Sequence, residues 1–396
     1  MNLAFCYESV LPARGGCETY IADLAHRLAA DRHQVHLYAC RWDRSALPAS
    51  MQFHALPAVG GPRFLRPWRF GARCLQELAQ NRHDVSIGFD KTWGQDVLYP
   101  QGGLHAASAA HNLGKHAHLW QRLLARTAKR FDLAHWSFSL LERRQYLRSP
   151  RPIIVVNSHM VRGHFERYYH VPAQDLFVVR SAVDQGRFPE HDRPRRRQEW
   201  RQQWQAQPHE TVGLIAAMNY RLKGLEPLLY ACRRLLQRSE FRGRTVPFRL
   251  AVVGDPQFGR YEGLARRLGI DKHVHFVGHC AEMRNAYFAA DFLVHPTFYD
   301  PCSLVVLEAL ACGLPVITTR FNGAAELLHP PQEGYVIDDP HDHDQLAWCM
   351  MQFLDTGRRA VCSQACRRAA AAWTFEHHYQ GLLQVFAEAA ARKQAA

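Results

Sequence analysis

The sequence lacks any stretch of about 18 consecutive apolar residues, the length that a membrane-spanning helix requires. Residues 1–6 also lack the basic start and the long apolar stretch of a signal peptide, so we expect a cytoplasmic protein. Low-complexity tracts and short internal repeats are absent. With 47% hydrophobic and 21% charged residues, the 396-residue chain is predicted to be a globular protein of two or three domains.

The cysteines form no recognisable metal or disulfide pattern. Eleven are scattered along the chain, and only Cys362 and Cys366 lie one helical turn apart. The sequence contains no CxxC pair and no zinc-ligand spacing. We therefore expect reduced and mostly buried thiols, as is usual in the cytosol.

Acidic residues are scarce relative to basic ones. The chain has 49 basic and 36 acidic residues, a net charge of +13, of which residues 1–180 contribute +10. Such a surplus attracts nucleic acid, anionic lipid or a phosphorylated substrate, or it reflects an arginine-rich proteome. The sequence has no aromatic–basic RNA motif, so nucleic-acid binding is the less favoured function.

Apolar runs alternate with helical periodicity in the first half. Residues 3–7 and Gln34–Ala39 are predicted strands, and the apolar positions of residues 18–30 predict a helix between them. Such a strand–helix–strand unit predicts a parallel sheet with a right-handed crossover. Val85–Phe89 and Ile153–Val156 are predicted to be further buried strands.

The second half repeats this alternation after residues 190–207, an Arg- and Gln-rich segment interpreted as a helical linker. Predicted strands are 212–216, Phe248–Gly254, 274–277, Phe292–His295, 316–318 and Gly334–Ile337, and predicted helices are 225–238, 262–268, 281–289, 303–311, 343–354 and 375–391. The α/β pattern predicts two doubly wound, Rossmann-like domains facing a central cleft. Their predicted extents are 1–185 and 186–372, with a final helix in 373–396 packing back on the first domain.

Gly15 and Gly16 lie between the first predicted strand and the first predicted helix. Paired glycines let backbone N–H groups approach a ligand, and the start of a helix attracts an anion. The pattern differs from GxGxxG, so the dinucleotide fingerprint is absent. An ordinary strand-to-helix turn is the alternative interpretation.

Residues 294–319, VHPTFYDPCSLVVLEALACGLPVITT, carry the strongest functional pattern. Asp300 lies in a loop between a strand and a helix, at the sheet edge where open α/β folds bind ligands. The N–H groups of Cys302, Ser303 and Leu304 at the helix start are predicted to be free for a diphosphate. Glu308 lies about one and a half turns into the helix, where its carboxylate can accept two ribose hydroxyls.

The same segment resembles the nucleotide-sugar signature of retaining GT-B glycosyltransferases of the family 4 type. That signature is a carboxylate, seven residues, Glu, and then Ala-x-Ala-x-Gly-x-Pro-Val. Asp300 and Glu308 match its spacing and residues 308–316 match its tail, although Asp300 is one methylene shorter than the usual Glu. The resemblance extends over nearly the whole chain and implies the GT-B fold.

Two further segments resemble the family. Asn219-Tyr-Arg-Leu-Lys-Gly is similar to the segment that grips the donor diphosphate, which implies that Arg221 and Lys223 bind the phosphates. The Gly15-Gly16 loop fits the family as well, which implies a place for it in nucleotide-sugar binding.

The basic first domain and Gly102-Gly103-Leu-His105 look more like one subfamily, the enzymes that add glucose to the heptose of the lipopolysaccharide inner core. This resemblance implies a catalytic role for His105 at the transferred sugar, alongside Asp300 and Lys223. Asp96 is a further candidate, for the acceptor hydroxyls.

The resemblance implies a retaining hexosyltransferase that uses UDP-glucose, or a close relative, and a lipid-linked or oligosaccharide acceptor such as lipopolysaccharide core. GDP-mannose or a UDP-N-acetylhexosamine, used for another polysaccharide, is the alternative. The implied mechanism is front-face attack by the acceptor hydroxyl, with the departing phosphate taking the proton. Paired cations and helix-start N–H groups stabilise that phosphate, and no strand-end Asp-x-Asp calls for Mn²⁺ or Mg²⁺, so we expect neither metal nor cofactor. Asp342-His-Asp344 is interpreted as a helix cap.

Residues 111–148 combine eight basic residues with interleaved Leu, Trp and Phe at near-helical spacing. A basic helix of this kind can lie on an anionic bilayer, which predicts peripheral attachment to the inner face of the cell membrane, with help from residues 63–73. The alternative is that Leu119, Leu123 and Phe131 belong to the core, with the arginines on a solvated face.

Overall fold

The computed structural model describes residues 1–12, 15–58, 60–116, 118–241 and 247–395. The chain divides into two compact units. Met1–Arg180 and Glu376–Ala396 form the N-terminal unit, and Ser181–Phe375 form the C-terminal unit. The linker predicted at 190–207 contributes a helix to the second of these.

The N-terminal unit is built on a seven-stranded parallel sheet of order β5-β3-β1-β6-β7-β8-β9, with β2 and β4 paired separately. Its strands are β1 (Asn2–Cys6), β2 (Ser9–Val10), β3 (Gln34–Ala39), β4 (Arg41–Trp42), β5 (Gln52–Ala55), β6 (Val85–Phe89), β7 (Val97–Tyr99), β8 (Ile153–Val156) and β9 (Leu176–Val178). Its helices are α1 (Gly16–Ala30), α2 (Arg66–Leu78), α3 (His105–His111), α4 (Leu119–Arg130), α5 (Leu133–Tyr146) and α6 (His159–Tyr169). Strands β6 and β8 are buried along their whole length, as parallel strands covered on both faces are.

The C-terminal unit is built on a six-stranded parallel sheet of order β12-β11-β10-β13-β14-β15. Its strands are β10 (Thr211–Ala217), β11 (Phe248–Gly254), β12 (Val274–Gly278), β13 (Phe292–His295), β14 (Val316–Thr319) and β15 (Gly334–Ile337). The helices are α7 (Arg193–Gln203), α8 (Leu225–Phe241), α9 (Gly259–Leu268), α10 (Met283–Ala289), α11 (Leu304–Ala311), α12 (His343–Gln352), α13 (Thr356–Ala372) and α14 (Phe375–Gln394), the last returning to the N-terminal unit. Two buried apolar clusters fill this unit.

Helix α14 is held to the N-terminal unit by polar contacts as well as by apolar packing. The ring of His378 is fully buried, and its nitrogens lie 2.6 Å from the hydroxyl of Tyr20 and 2.7 Å from the carbonyl oxygen of Arg180. The hydroxyl of Tyr379 donates to Asp31 at the end of α1 at 2.8 Å. These contacts tie the C-terminal helix to α1.

The predicted α/β class with two parallel sheets is confirmed. Six predicted strands, namely β3, β6, β8, β11, β13 and β15, have the bounds read from the sequence, and most other predicted elements differ by one to three residues. The elements that were not predicted include β2, β4, β5 and β9 and the helices α2, α3, α6 and α13. Asp342 caps α12 as interpreted, because its carboxylate accepts from the N–H of Gln345 at 2.8 Å.

Candidate active site

Two loops meet at the carboxyl edge of the six-stranded sheet. Residues 218–224 follow β10 and residues 296–303 follow β13, and these two strands are parallel neighbours. Gly224 lies in the left-handed region with a φ of 78°, and a Cβ atom there would lie 2.1 Å from the carbonyl oxygen of Pro296. Only glycine permits that approach, so it brings the two loops into contact.

Lys223 and Asp300, one from each loop, form an ion pair. The ammonium Nζ lies 2.5 Å from Asp300 Oδ2, and the His295 ring Nε2 lies 3.2 Å from the same oxygen. Asp300 is only 8% exposed. Burial by itself would raise the pKa of Asp300, but the charge of Lys223 and the hydrogen bond from His295 outweigh it and hold that pKa well below the usual range. The carboxylate is therefore ionised at neutral pH.

The backbone of Asp300 is fixed by the loop that follows β14. Its N–H donates to the carbonyl oxygen of Phe321 at 2.9 Å, and its own carbonyl oxygen accepts from the N–H of Gly323 at 2.9 Å. Three loops at the same sheet edge therefore determine where the Lys223–Asp300 pair lies.

The start of α11 differs from the prediction of free N–H groups. The N–H of Ser303 donates to Asn322 Oδ1 at 3.1 Å, because Asn322 folds back from the loop after β14. The buried Cys302 side chain has a pKa raised by burial to about 12, so it remains a neutral thiol. Leu304 is the first residue of α11, where N–H groups have no carbonyl partner within the helix.

Glu308 and Arg221, the remaining residues predicted to bind the nucleotide sugar, lie at the same edge of the sheet. Glu308 is half-buried on α11, and its carboxylate accepts from the hydroxyl of Tyr287 at 2.5 Å. Tyr287 thus fixes the direction of one carboxylate oxygen. Arg221 is exposed in the loop after β10, two residues before Lys223. Their contacts with a donor stay predictions.

A separate cavity of about 490 Å³ opens within the N-terminal unit. It lies at the carboxyl ends of β1, β6 and β7, and its lining includes Tyr7, Glu18, Asp90, Lys91 and His105. Carboxylates, a hydroxyl and a cation around a cavity of this size suit a saccharide, whose hydroxyls both donate and accept.

His105 opens α3 and lines this cavity. Its ring Nε2 lies 2.9 Å from the ring Nδ1 of His135 on α5. Burial, followed by the neighbouring His135 and Lys91, lowers the pKa of His105 to about 4. The imidazole is therefore neutral at neutral pH and can both donate and accept a hydrogen bond.

Gly15 and Gly16 begin α1 after the carboxyl end of β1. Gly15 caps the helix in an extended conformation, and its carbonyl oxygen accepts from the N–H of Thr19 at 3.2 Å. Ala13 and Arg14, which precede these glycines, lie outside the described residues. The part of Gly15 and Gly16 in nucleotide-sugar binding stays a prediction.

Asp96 was placed wrongly by the sequence analysis. It precedes β7 and so lies at the amino edge of the sheet, away from the carboxyl ends that line the cavity. Its Oδ2 accepts from the N–H and the hydroxyl of Ser86 at 2.8 and 2.7 Å and pairs with Lys393 at 2.9 Å. The carboxylate is engaged in these structural contacts, so the acceptor role is not supported.

Two family models match the chain, each over one part of it. Residues 14–187 match Glycosyltransferase Family 4, and residues 196–369 match Glycosyl transferases group 1. This chain is a glycosyltransferase with one domain of each kind. The predicted enzyme class is thereby confirmed. The GT-B fold is confirmed as well, because solved structures of that fold superpose on the chain.

The lipopolysaccharide glucosyltransferase WaaG of Escherichia coli K12 is 24% identical over 87% of this chain and 87% of its own. A crystal structure of WaaG, a glycosyltransferase involved in lipopolysaccharide biosynthesis, has a TM-score of 0.81 at 22% identity, covering 97% of this chain and 99% of that one. A D-inositol 3-phosphate glycosyltransferase of Salinispora arenicola is 25% identical over 95% of this chain and 88% of its own. Anabaena Alr3699/HepE in complex with UDP has a TM-score of 0.69 at 17% identity, covering 98% of this chain and all of that one.

The sequence analysis of this glycosyltransferase missed several cavity residues. Asp90 and Lys91 directly follow the correctly predicted strand β6, and their place at its carboxyl end was the signal available. The ammonium of Lys91 lies 3.9 Å from the ring centroid of Phe138 on α5, and burial lowers its pKa. Phe138 belongs to residues 111–148, which were interpreted as a membrane-binding helix. That interpretation did not predict that one side of the helix contacts cavity residues.

Helices α4 and α5 expose a large apolar patch. Phe131 is 87% exposed, and no residue of α4 is buried. The alternative that these residues form core is therefore wrong. We call this set the α4–α5 patch: Leu119, Trp120, Leu123, Leu124, Phe131, Leu133, Trp136 and Leu140. Among the described residues, no helix combines the length and the apolar character needed to cross a bilayer.

Proposed function

We propose that this glycosyltransferase transfers a hexose, with glucose as the first candidate, from UDP-glucose to a lipid-linked saccharide such as lipopolysaccharide core, with retention of anomeric configuration. The Lys223–Asp300 pair at the carboxyl edge of the C-terminal sheet is the observation that carries the proposal. It offers a cation to the diphosphate and an ionised carboxylate to the sugar within one contact of 2.5 Å.

Donor cleavage requires stabilisation of the phosphate that leaves. Lys223 and Arg221 supply positive charge in the loop after β10, and the first turn of α11 adds N–H groups aimed in one direction. Glu308, held by Tyr287, accepts the ribose hydroxyls. These groups take the place that a divalent cation has in other transferases, so we propose that the reaction is independent of metal and cofactor.

The acceptor occupies the cavity of the N-terminal unit. In the proposed reaction the acceptor hydroxyl attacks the face of the sugar from which the diphosphate departs, and the phosphate oxygen takes the proton. His105 is neutral, and its ring binds a hydroxyl of the transferred sugar as that sugar develops oxocarbenium character. The cavity volume of about 490 Å³ suits one to two sugar rings.

The proposed sugar and acceptor are supported by the names and bound ligands of similar proteins. WaaG is named a lipopolysaccharide glucosyltransferase, and HepE was crystallised with UDP and with UDP-glucose. The D-inositol 3-phosphate glycosyltransferases are named for a different acceptor, so they favour the second candidate, a related enzyme with another acceptor. Its donor would be GDP-mannose or a UDP-N-acetylhexosamine.

The α4–α5 patch supports attachment to an anionic membrane from the cytoplasmic side. Exposed basic side chains lie on the same two helices, including Arg126, Arg130 and Arg143. An amphipathic, basic surface of this kind binds the headgroup region, and each cation near the surface contributes roughly 1 kcal/mol. A lipid-linked acceptor would give that attachment a role, whereas binding to nucleic-acid phosphates would not require the exposed leucines of the patch.

The deciding experiment is mass spectrometry of products from UDP-glucose, GDP-mannose and UDP-N-acetylglucosamine, each with a lipopolysaccharide core saccharide, and NMR of the new anomeric bond. We expect a gain of one hexose from UDP-glucose with the α configuration of the donor, and product formation that is roughly 10²–10³-fold slower with Lys223→Ala. A product with inverted configuration, or none from any nucleotide sugar, contradicts the proposal. A thermal shift with UDP that survives high salt, against one with single-stranded RNA that does not, separates the enzyme from a nucleic-acid-binding protein.

A further inference from the structure

The ring of His105 has a partner of the same kind. The 2.9 Å contact between His105 Nε2 and His135 Nδ1 requires one ring to donate and the other to accept, since neutral imidazole has one N–H and one lone-pair nitrogen. The ring centroids are 5.1 Å apart, and the ring of Phe138 lies 5.3 Å from that of His105. His105 is therefore held on one side by α5, and its Nδ1 is the ring nitrogen left for the cavity.

The backbone of His105 is held by the same helix. Glu142, which is only 5% exposed, accepts from the N–H of His105 and from the N–H of Ala106, the latter at 3.1 Å. The hydroxyl of Tyr169 donates to the same carboxylate at 2.8 Å. Glu142 thus caps the first turn of α3 from a neighbouring helix, although a buried carboxylate is costly to place.

Two contacts from α5 converge on one residue, one on its ring and one on its main chain. A role in capping α3 explains the contact with the main chain of His105, but it does not explain the contact with its ring. His135 is half-buried, and its ring contacts that of His105, which lines the cavity.

We propose that His135 is a positioning residue that sets the tautomer and the direction of His105, and that Glu142 fixes the helix start on which His105 is mounted. The inference rests on the proposed function only where it takes His105 to touch the transferred sugar. If His135 donates, Nδ1 of His105 carries the hydrogen and donates to a sugar oxygen. If His135 accepts, the same nitrogen accepts from a sugar hydroxyl.

The test uses substitutions that separate shape from hydrogen bonding. His135→Phe keeps the ring and removes the partner nitrogen, whereas His135→Asn keeps a polar atom near the position of Nδ1. With a water-soluble acceptor we expect His135→Phe to lower kcat about 10–100-fold, as a misdirected catalytic group does, with the Kd for UDP unchanged. His135→Asn should restore kcat to within several-fold of the native value, and Glu142→Gln should fall between the two.

Ser139→Ala is the matched control, since Ser139 is a half-buried polar residue on the same helix whose hydroxyl donates only to the carbonyl oxygen of His135 at 2.8 Å. It should leave kcat unchanged. If His135→Phe stays within two-fold of the native kcat, or if His135→Asn is as slow as His135→Phe, the positioning role is wrong.

A second readout does not depend on transfer. The ¹⁵N shifts of the His105 ring, assigned with His105→Gln, should show one protonated and one unprotonated nitrogen in the native protein. In His135→Phe we expect the two tautomers to average. A native spectrum that already shows averaging overturns the inference even if the enzyme uses the proposed donor, and a defined tautomer supports it even if the donor proposal fails.

Discussion

Removing the charge of Lys223 should damage the protein more than removing the charge of Asp300, although the two form one ion pair. The Lys223 side chain is 20% exposed and that of Asp300 is 11% exposed. Lys223→Ala leaves a buried carboxylate with only His295 beside it, whereas Asp300→Asn leaves an ammonium that can turn towards solvent. Breaking a buried pair by removing one partner costs about 3–5 kcal/mol in the free energy of unfolding. Because this pair is partly exposed, we expect Lys223→Ala to lie at the lower end, at about 3 kcal/mol. For Asp300→Asn we expect about 1 kcal/mol.

Activity should separate the two residues further. Lys223→Ala removes a cation from the leaving phosphate and should lower kcat/KM by roughly 10²–10³-fold. Asp300→Asn should mainly lower kcat. Because Asp300 Oδ2 also orients Lys223, whose Nζ lies 2.5 Å away, we expect some loss of UDP affinity as well. The double variant should lose less than the sum of the single losses, because neither residue keeps its partner in either single variant.

The assays are urea unfolding, UDP titration calorimetry and steady-state kinetics on both single variants and the double variant. Arg195→Ala is the control, since Arg195 forms an exposed pair with Glu199 on α7 at 3.4 Å and should change little in any assay. Equal destabilisation by the two single substitutions would refute the burial argument. Activity of Lys223→Ala within a few-fold of the native value would refute its role at the phosphate, and strict additivity would show that the pair does not act as a unit.

Three further outcomes follow from the structure. Glu308→Gln should weaken UDP binding more than it lowers kcat, since its proposed partner is the ribose; calorimetry that finds native affinity contradicts the assignment. Arg126, Arg130 and Arg143 changed together to Gln should abolish co-sedimentation with anionic vesicles at low salt and spare UDP binding, and a native protein that ignores such vesicles removes the membrane proposal. His378 is fully buried and burial lowers its pKa to about 4, so the unfolded chain, with a pKa near 6.5, binds the proton first. The contribution of His378 to the free energy of unfolding is therefore fully present above about pH 6.5, and it falls by up to about 1.4 kcal/mol per pH unit between there and pH 4. Urea unfolding at several pH values should show a free energy of unfolding that depends less steeply on pH in His378→Gln than in the native protein. An unchanged dependence means that another group titrates.

In the N-terminal sheet, the sequence predicted the buried strands β6 and β8 well and the edge strands β5 and β9 poorly. Strands β6 and β8 are continuous apolar runs because both of their faces are buried, and such runs are visible without any context. β5 and β9 lie at the two edges of the N-terminal sheet, and β5 is exposed at both of its ends. Helix α13 is rich in Ala and Arg, with only three buried residues among its 17, so its periodicity carries little signal.

Lys223 and Asp300 were each identified from their own segment, but their pairing was not. They are 77 residues apart, and they meet because β10 and β13 are neighbours in the sheet although two strands lie between them in sequence. The capture of the Ser303 N–H by Asn322 depends in the same way on β14. Contacts that arise from strand order need the topology, which one sequence does not supply.

Helix α5 has consequences beyond the two histidines, because its opposite sides face different surroundings. Leu133, Trp136 and Leu140 are each more than half exposed. Phe138 and Glu142, on the same helix, contact Lys91 and His105, which line the cavity. If the exposed side enters a bilayer, any shift of the helix is transmitted to His105 through hydrogen bonds that tolerate only a few tenths of an ångström. Adsorption to a bilayer and binding of the proposed lipid-linked acceptor would then be coupled, so that each changes the affinity for the other by the same factor.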